Sequence, residues 1–365
     1  MFAFDHLTLV LAALLGTVER DHAALVPVPD ALWVLTADGP GAGKVVAVQS
    51  RPPWLARAVA PTDGALFLRR FGHALYAVNR SAGTIRRVPE RGGSIRDYDI
   101  GALSEPQDVH VRVPATSFPP VAYVTRRYDP VLLELDLVSG ETSDFVDLSP
   151  LGNGADIALG TLERDGDRLF VQVRVEDVPG ASGVLAVVDL AEGELVDVDP
   201  LAMGVQGIAL AGAPPRGKMQ ILGRTLFVSA TESSLDARGG IERIDLDTLA
   251  STGFAITEEE GGSDMGGFVM IAPDEGYYVF HTDLLASTHL KHFTAGGPDP
   301  GPEIVVLLND TVEVIAHDPR GRRIFLPSGF AWDTPGLYVV STETHEVVGP
   351  PIETPLRAHD VIVSR

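Results

Sequence analysis

The sequence predicts an all-β chain folded as a seven-bladed β-propeller of four-stranded antiparallel blades. Three observations carry this. Seven short runs rich in apolar, aromatic and β-branched residues each follow a turn, and their starts lie 43 to 57 residues apart, the period of a propeller blade. No helix-period stretch longer than about ten residues appears after residue 22, which counts against parallel βαβ folds. The 38 glycines and 27 prolines suit short strands joined by many turns.

The recurring runs are ALWVLTA (31–37), ALYAVNR (74–80), VAYVTRR (121–127), RLFVQVR (168–174), TLFVSAT (225–231), GYYVFHT (276–282) and RIFLPSG (323–329). They are read as the second strand, B, of each blade. A third strand, C, follows each: GKVVAVQ (43–49), GTIRRVP (83–89), VLLELDL (131–137), VLAVVDL (184–190), GIERIDL (240–246), HLKHFTA (289–295) and GLYVVST (336–342). Several of these end in Asp-Leu and a turn, as in DLVSGE and DLAEGE, and a weaker strand D comes next, such as SDFVDL (143–148). Innermost strands, A, are read at DVHVRV (108–113), DIALGTL (156–162), GIALAG (207–212), GFVMIA (267–272) and EVIAHD (313–318). GAPPRGKMQILGR (212–224) then reads as one long A–B loop.

One strand is left over at the C-terminus, HDVIVSR (359–365). It matches the A-strands and is expected to complete the first blade as one strand joined to three, which removes an unpaired edge. The rival, AALVPVP (23–29), contains two prolines and is the poorer ladder partner. A chain sealed in this way is expected to be a monomer. Residues 23–365 therefore form one propeller domain. Residues 1–22 are a leader or a short N-terminal helix. The apolar run LTLVLAALLG (7–16) is too short to cross a membrane and has the length of a signal-peptide core, although MFAFDH before it has no Lys or Arg.

Composition narrows function by exclusion. The formal net charge is −22, which repels phosphate backbones and disfavours nucleic acid as a partner. The chain has no cysteine, so disulfides, thiolate metal sites and cysteine nucleophiles are excluded. GPGAGKV (39–45) has the wrong spacing for a phosphate loop and precedes a strand.

The turns APDEG and DPRGR before YYVF and RIFL resemble the SPDGRxLYV phrase of bacterial YVTN-type seven-bladed propellers. AYVTRRYDPVLLELDLVSGE and GGIERIDLDTLASTGFAITEEE are similar to an exported or surface-anchored branch of that family. The resemblance spans roughly residues 31–363. It implies a periplasmic, secreted or cell-surface propeller with no assigned reaction, and without a cysteine it supports no lipid anchor.

In a propeller the D–A and B–C connections share one face. The long B–C segments 176–183, 232–240, 283–288 and 330–336 make it the expected face for a small-molecule or protein ligand. Aligning the A-strands places Asp108, Asp156, Glu313 and Asp360 in one column, with His359 one residue earlier and His110 on the same side of its strand as Asp108. These carboxylates could hold Ca²⁺ or Mg²⁺ at the channel mouth, the basis of an alternative reading as a lactonase-like, metal-assisted hydrolase. Equally, each Asp could accept backbone N–H groups from the neighbouring blade. Arg80, Arg126, Arg127 and Arg174 close the B-strands on this face. They could bind a carboxylate or phosphate, or pair with the acidic column. In blade six, His289 and His292 fall on opposite faces of a strand, so only His281 with one of them could bind zinc or copper across the hairpin; otherwise these histidines are solvated. Trp332 could stack a ring ligand or pack over its loop. The leading reading is a non-enzymatic binding propeller.

Overall fold

The computed structural model describes residues 31–37, 42–112, 120–176, 183–231, 238–262, 264–282, 287–297, 301–308, 312–328 and 335–364. The leader segment 1–22, the rival strand 23–29, Trp332 and most of the long B–C connections lie outside them. Among the described residues, strands β1–β29 form seven antiparallel sheets.

Blade 1 joins β1 (Ala31–Ala37), β2 (Gly43–Gln49) and β3 (Ala56–Thr62) to the C-terminal β29 (Arg357–Val363), which pairs with β1. Blade 2 is β4 (Ala65–Phe71), β5 (Ala74–Asn79), β6 (Thr84–Pro89) and β7 (Arg96–Asp99). Blade 3 is β8 (Pro106–Arg112), β9 (Val121–Arg126), β10 (Asp129–Asp136) and β11 (Thr142–Asp147). Blade 4 is β12 (Ile157–Asp165), β13 (Arg168–Val175) and β14 (Val184–Asp189), with β15 (Glu194–Leu195) and β16 (Ile208–Ala209) both on the outer side of β14. Blade 5 is β17 (Pro215–Leu222), β18 (Thr225–Ala230), β19 (Gly240–Asp245) and β20 (Ala250–Thr257). Blade 6 is β21 (Asp264–Ala272), β22 (Glu275–Thr282), β23 (Ser287–Thr294) and β24 (Glu303–Leu308). Blade 7 is β25 (Ala316–Asp318), β26 (Arg323–Ser328), β27 (Gly336–Ser341) and β28 (Ile352–Glu353).

The expected B-strands, C-strands and closing strand are thus in place, and two expectations are corrected. GIALAG is not an innermost strand. Its Ile208 and Ala209 pair with Leu185 and Val184 and continue, after an excursion, the outer strand that β15 begins. The innermost strand of blade 5 is β17, inside the segment read as a long loop. Pro215 sits at its first position, where a missing N–H is tolerated. Leu222 pairs with Thr225, so the A–B turn is only Gly223 and Arg224, with Gly223 at φ 63° supplying the left-handed conformation such a turn requires.

The Asp-Leu turns have a local cause. Asp136, Asp189 and Asp245 end their C-strands, and each carboxylate accepts the backbone N–H groups two and three residues on, at 2.6 to 3.1 Å. Those bonds hold all three carboxyls below the usual range. They also set the chain direction into the outer strand.

Packing closes the ring. Innermost strands touch in the order β29, β4, β8, β12, β17, β21, β25 and back to β29. Apolar clusters fill the spaces between neighbouring blades: Val78, Val109 and Leu135 between blades 2 and 3, for example, and Val34, Phe325 and Val361 between blades 7 and 1. Tyr123, Phe170, Tyr277 and Phe325 are fully buried there, each contributing about 1.5–3 kcal/mol by the area rule. Alternate residues of a strand thus face different neighbouring blades, which is why the B-strands read as nearly continuous apolar runs.

Candidate functional site

The central channel is divided by charge. Asp108 and Asp360 are both fully buried, and their surroundings repeat. Asp360 accepts its own next N–H, from Val361, at 2.7 Å and the N–H of Leu68 on the innermost strand of blade 2, also at 2.7 Å. Asp108 accepts Val109 N–H at 2.8 Å and the N–H of Leu162 in blade 4 at 2.8 Å. A cation completes each set. Lys218 Nζ lies 2.6 and 2.5 Å from the Asp360 oxygens and donates to Leu68 O at 3.1 Å. Arg69 donates to Asp108 in a bidentate pair, with Nε at 2.8 Å, and to Leu162 O at 3.0 Å. The carboxylates therefore serve the neighbouring blade's backbone, and all their oxygens are engaged. Burial would push charged groups toward neutrality; paired placement offsets that cost.

This belt separates two cavities. The first, about 260 Å³, lies on the face of the long B–C segments and gathers Arg80, Arg127, Arg174 and Arg216 with Gln107, Gln172, Glu176 and Glu313. Arg80 is held by Glu105 at 2.8 Å, and Arg127 packs over the Tyr128 ring at 5.1 Å. Arg216 is exposed and makes no ion pair among the described residues. Four guanidinium groups stand here with three carboxylates, Glu105 beside Arg80 and Arg127, and Glu176 and Glu313 in the wall, a setting that favours carboxylate or phosphate.

The other expected site residues disperse. Arg126 turns away to Asp129, 2.6 Å distant. Exposed Asp156 lies with Tyr128, Ser149 and Glu176 in a separate cavity between blades 3 and 4. It precedes β12, and the residue in the register of Asp108 is Thr161, because Val109 and Leu162 pair equivalently with Val124 and Val171. Glu313 reaches the cup, but from the segment before β25. Exposed His359 approaches Ala37 O at 3.3 Å. His110 lies beyond the belt, edge-on to Phe71 at 4.7 Å. The blade-six histidines each hold their own partner: His281 Nδ1 with Thr288 Oγ1 at 3.1 Å, His289 Nε2 with Ser287 Oγ at 2.8 Å, and His292 Nε2 with Glu275 at 2.8 Å. Among the described residues, no three His, Asp or Glu side chains converge as a metal site.

Sequence reasoning missed Arg69, Glu163, Arg216 and Lys218. The signal present was a run of charged residues at alternate positions, Arg216 and Lys218, in PRGKMQI. Two prolines and a glycine masked it as loop.

No protein-family model matches the chain, and no curated protein matches it in sequence. Solved structures do match in fold. A protein of Bacteroides fragilis provisionally assigned as a 6-phosphogluconolactonase superposes with a TM-score of 0.60 at 10% identity, over 93% of this chain and 98% of that one. Another with the same provisional assignment, from Bacteroides uniformis, gives 0.60 at 12% identity over 92% and 100%. AztD from Citrobacter koseri gives 0.52 at 12% over 92% and 98%. At these identities the likeness is one of fold alone. No helix among the described residues is long and apolar enough to cross a membrane.

Proposed function

We propose that this chain is a non-enzymatic binding propeller of the bacterial cell envelope that takes a small anionic molecule in its arginine-lined cup. One observation carries the reading: the ends of β5, β9 and β13 and the start of β17 bring Arg80, Arg127, Arg174 and Arg216 to one cavity. Guanidinium forks recognise planar oxyanions, and Glu176 and Glu313 at the wall favour a ligand that also carries hydroxyl or amino donors. Placement in the envelope rests on the repeat phrases quoted above. The alternative, a lactonase-like hydrolase assisted by Ca²⁺ or Mg²⁺, finds less support. Asp108 and Asp360 are engaged on all oxygens, and Asp156 stands apart from them.

The test is a thermal-shift and calorimetric screen of mono- and dicarboxylates, phosphate esters and sugar acids at low and high salt. A hit should weaken with ionic strength and lose about ten- to a hundredfold in affinity in Arg216→Ala or Arg127→Ala, the worth of one charge-assisted bond. Arg126→Ala should bind normally. No hit among these anions, or hits indifferent to Arg216 and Arg127, would sink the reading.

A further inference from the structure

The second cavity, about 380 Å³, opens on the opposite face, beyond the charge belt. Strands β4, β12 and β17 run from one cavity to the other: Phe67, Thr161 and Gly217 line the cup, while Arg69, Glu163 and Lys218 line the second chamber. Its volume falls in the range of small-molecule sites, about 300–1,000 Å³. One part of its wall is apolar, with Phe71, Phe268, Ile315 and Ile362. Its floor is polar and incompletely used. Nη1 of Arg69 donates no hydrogen bond among the described residues; Glu163 Oε2 lies 3.6 Å from it, within ion-pair reach but too far for a hydrogen bond. Among the described residues the Glu163 carboxylate makes no hydrogen bond to another side chain, and the His110 ring stands edge-on to the Phe71 ring.

We infer that this chamber binds a small uncharged amphipathic molecule whose apolar body packs on Phe71, Phe268 and Ile362 and whose head is of the carboxamide type. The 3.6 Å spacing of Arg69 Nη1 and Glu163 Oε2 lets such a head lie alongside both. Its carbonyl accepts from the guanidinium and its N–H donates to the carboxylate, so one group engages both partners. Charge selects against ionic heads. Arg69 is matched by Asp108, Lys218 by Asp360 and the rim Arg70 by Glu90 at 2.5 Å, so an added charge finds no unmatched counter-ion except Glu163, itself beside Arg69. Burial acts the same way on the resident groups. It raises the Glu163 carboxyl above the usual range and lowers His110 to about 3, Arg69 and Arg164 adding to the latter against Asp108. A chamber that disfavours charge on its own side chains disfavours it on a guest.

His110 makes the test direct, because its imidazole lines the chamber. Benzamide, cyclohexanecarboxamide and 3-phenylpropionamide are titrated into histidine-labelled full-length protein, the His110 signal being assigned with His110→Gln. At least one amide should shift that signal, while 3-phenylpropionate and 3-phenylpropylamine bind at least about tenfold more weakly. Ala316→Trp, which fills the chamber, should abolish the shift and leave anion binding in the cup unchanged. Phe71→Ala, which removes a wall without adding bulk, should weaken it if Ala316→Trp fails to fold. No response to any of the three amides, equal binding of the charged compounds, or a shift that survives Ala316→Trp and Phe71→Ala overturns the inference.

Discussion

Lys218, on the innermost strand of blade 5, grips Asp360 in blade 1 with its ammonium 2.6 and 2.5 Å from the two carboxylate oxygens. The pair joins residues 142 positions apart across the middle of the channel. Asp360 is fully buried, so removing only the cation leaves a charge in low dielectric. Lys218→Met should therefore destabilise the fold by about 3–5 kcal/mol in guanidinium unfolding. The double variant Lys218→Met with Asp360→Asn should recover part of that loss, since the stranded charge is gone. A single-variant loss under about 1 kcal/mol would show that the pair is dispensable.

Asp108 gives the companion case. Asp108→Ala orphans the N–H groups of Leu162 and Val109 as well as the Arg69 guanidinium, each worth about 1–3 kcal/mol when left unsatisfied. Asp108→Asn keeps one oxygen acceptor and should lose clearly less. Equal losses for the two variants would mean that charge, and not backbone satisfaction, is what Asp108 supplies.

These two aspartates show what the sequence made legible and what it hid. The B- and C-strands announce themselves because blade packing buries both faces of a strand, leaving unbroken apolar runs between turn formers. The closing strand was legible because HDVIVSR repeats the innermost pattern, and the reading of Asp108 and Asp360 as acceptors for a neighbouring blade's N–H groups followed from that repetition. The channel strands were harder. They carry irregularities, at Gln107, at Gly160–Thr161 and between Arg216 and Gln220, and each one shifts the register. Asp156 was thereby aligned with Asp108 when Thr161 holds that position. Neither cation could be assigned from sequence, since Arg69 stands 39 and Lys218 142 residues from its partner. The arginine cup was half legible: three of its guanidinium groups end B-strands, whereas Arg216 lies in a strand that prolines disguised.

Ring closure predicts a distinct failure on truncation. Removing residues 357–365 strips β29 from the edge of β1, takes Ala358 and Val361 out of the cluster between blades 7 and 1, and removes the Ser364 hydroxyl that accepts Trp33 Nε1–H at 2.8 Å. The exposed β1 edge should recruit other chains. Light scattering should show concentration-dependent association, and Trp33 emission should shift to the red. A truncated chain that stays monomeric with unchanged emission would show that the other six blades close without it.

Acid sensitivity follows from His110. Its ordinary value is 6.5, and burial, with Arg69 and Arg164 nearby, lowers it to about 3 in the folded chain. Between those values the unfolded chain binds a proton that the folded one refuses, so stability is fully present above pH 6.5 and falls as pH drops toward 3. The slope is at most about 1.4 kcal/mol per pH unit for one such group. Glu163 acts in the opposite sense: burial raises its carboxyl, so protonation on acidification relieves a penalty, but only from its raised value down to about 4.5. The two contributions separate in a variant. His110→Gln should flatten the stability profile between pH 6.5 and 5, while leaving its acid end sloped by the remaining carboxylates. Urea unfolding of both proteins at pH 7, 6 and 5 reads the difference. Parallel profiles would mean that His110 titrates alike in the folded and unfolded chains, and that the chamber does not exclude charge as its geometry requires.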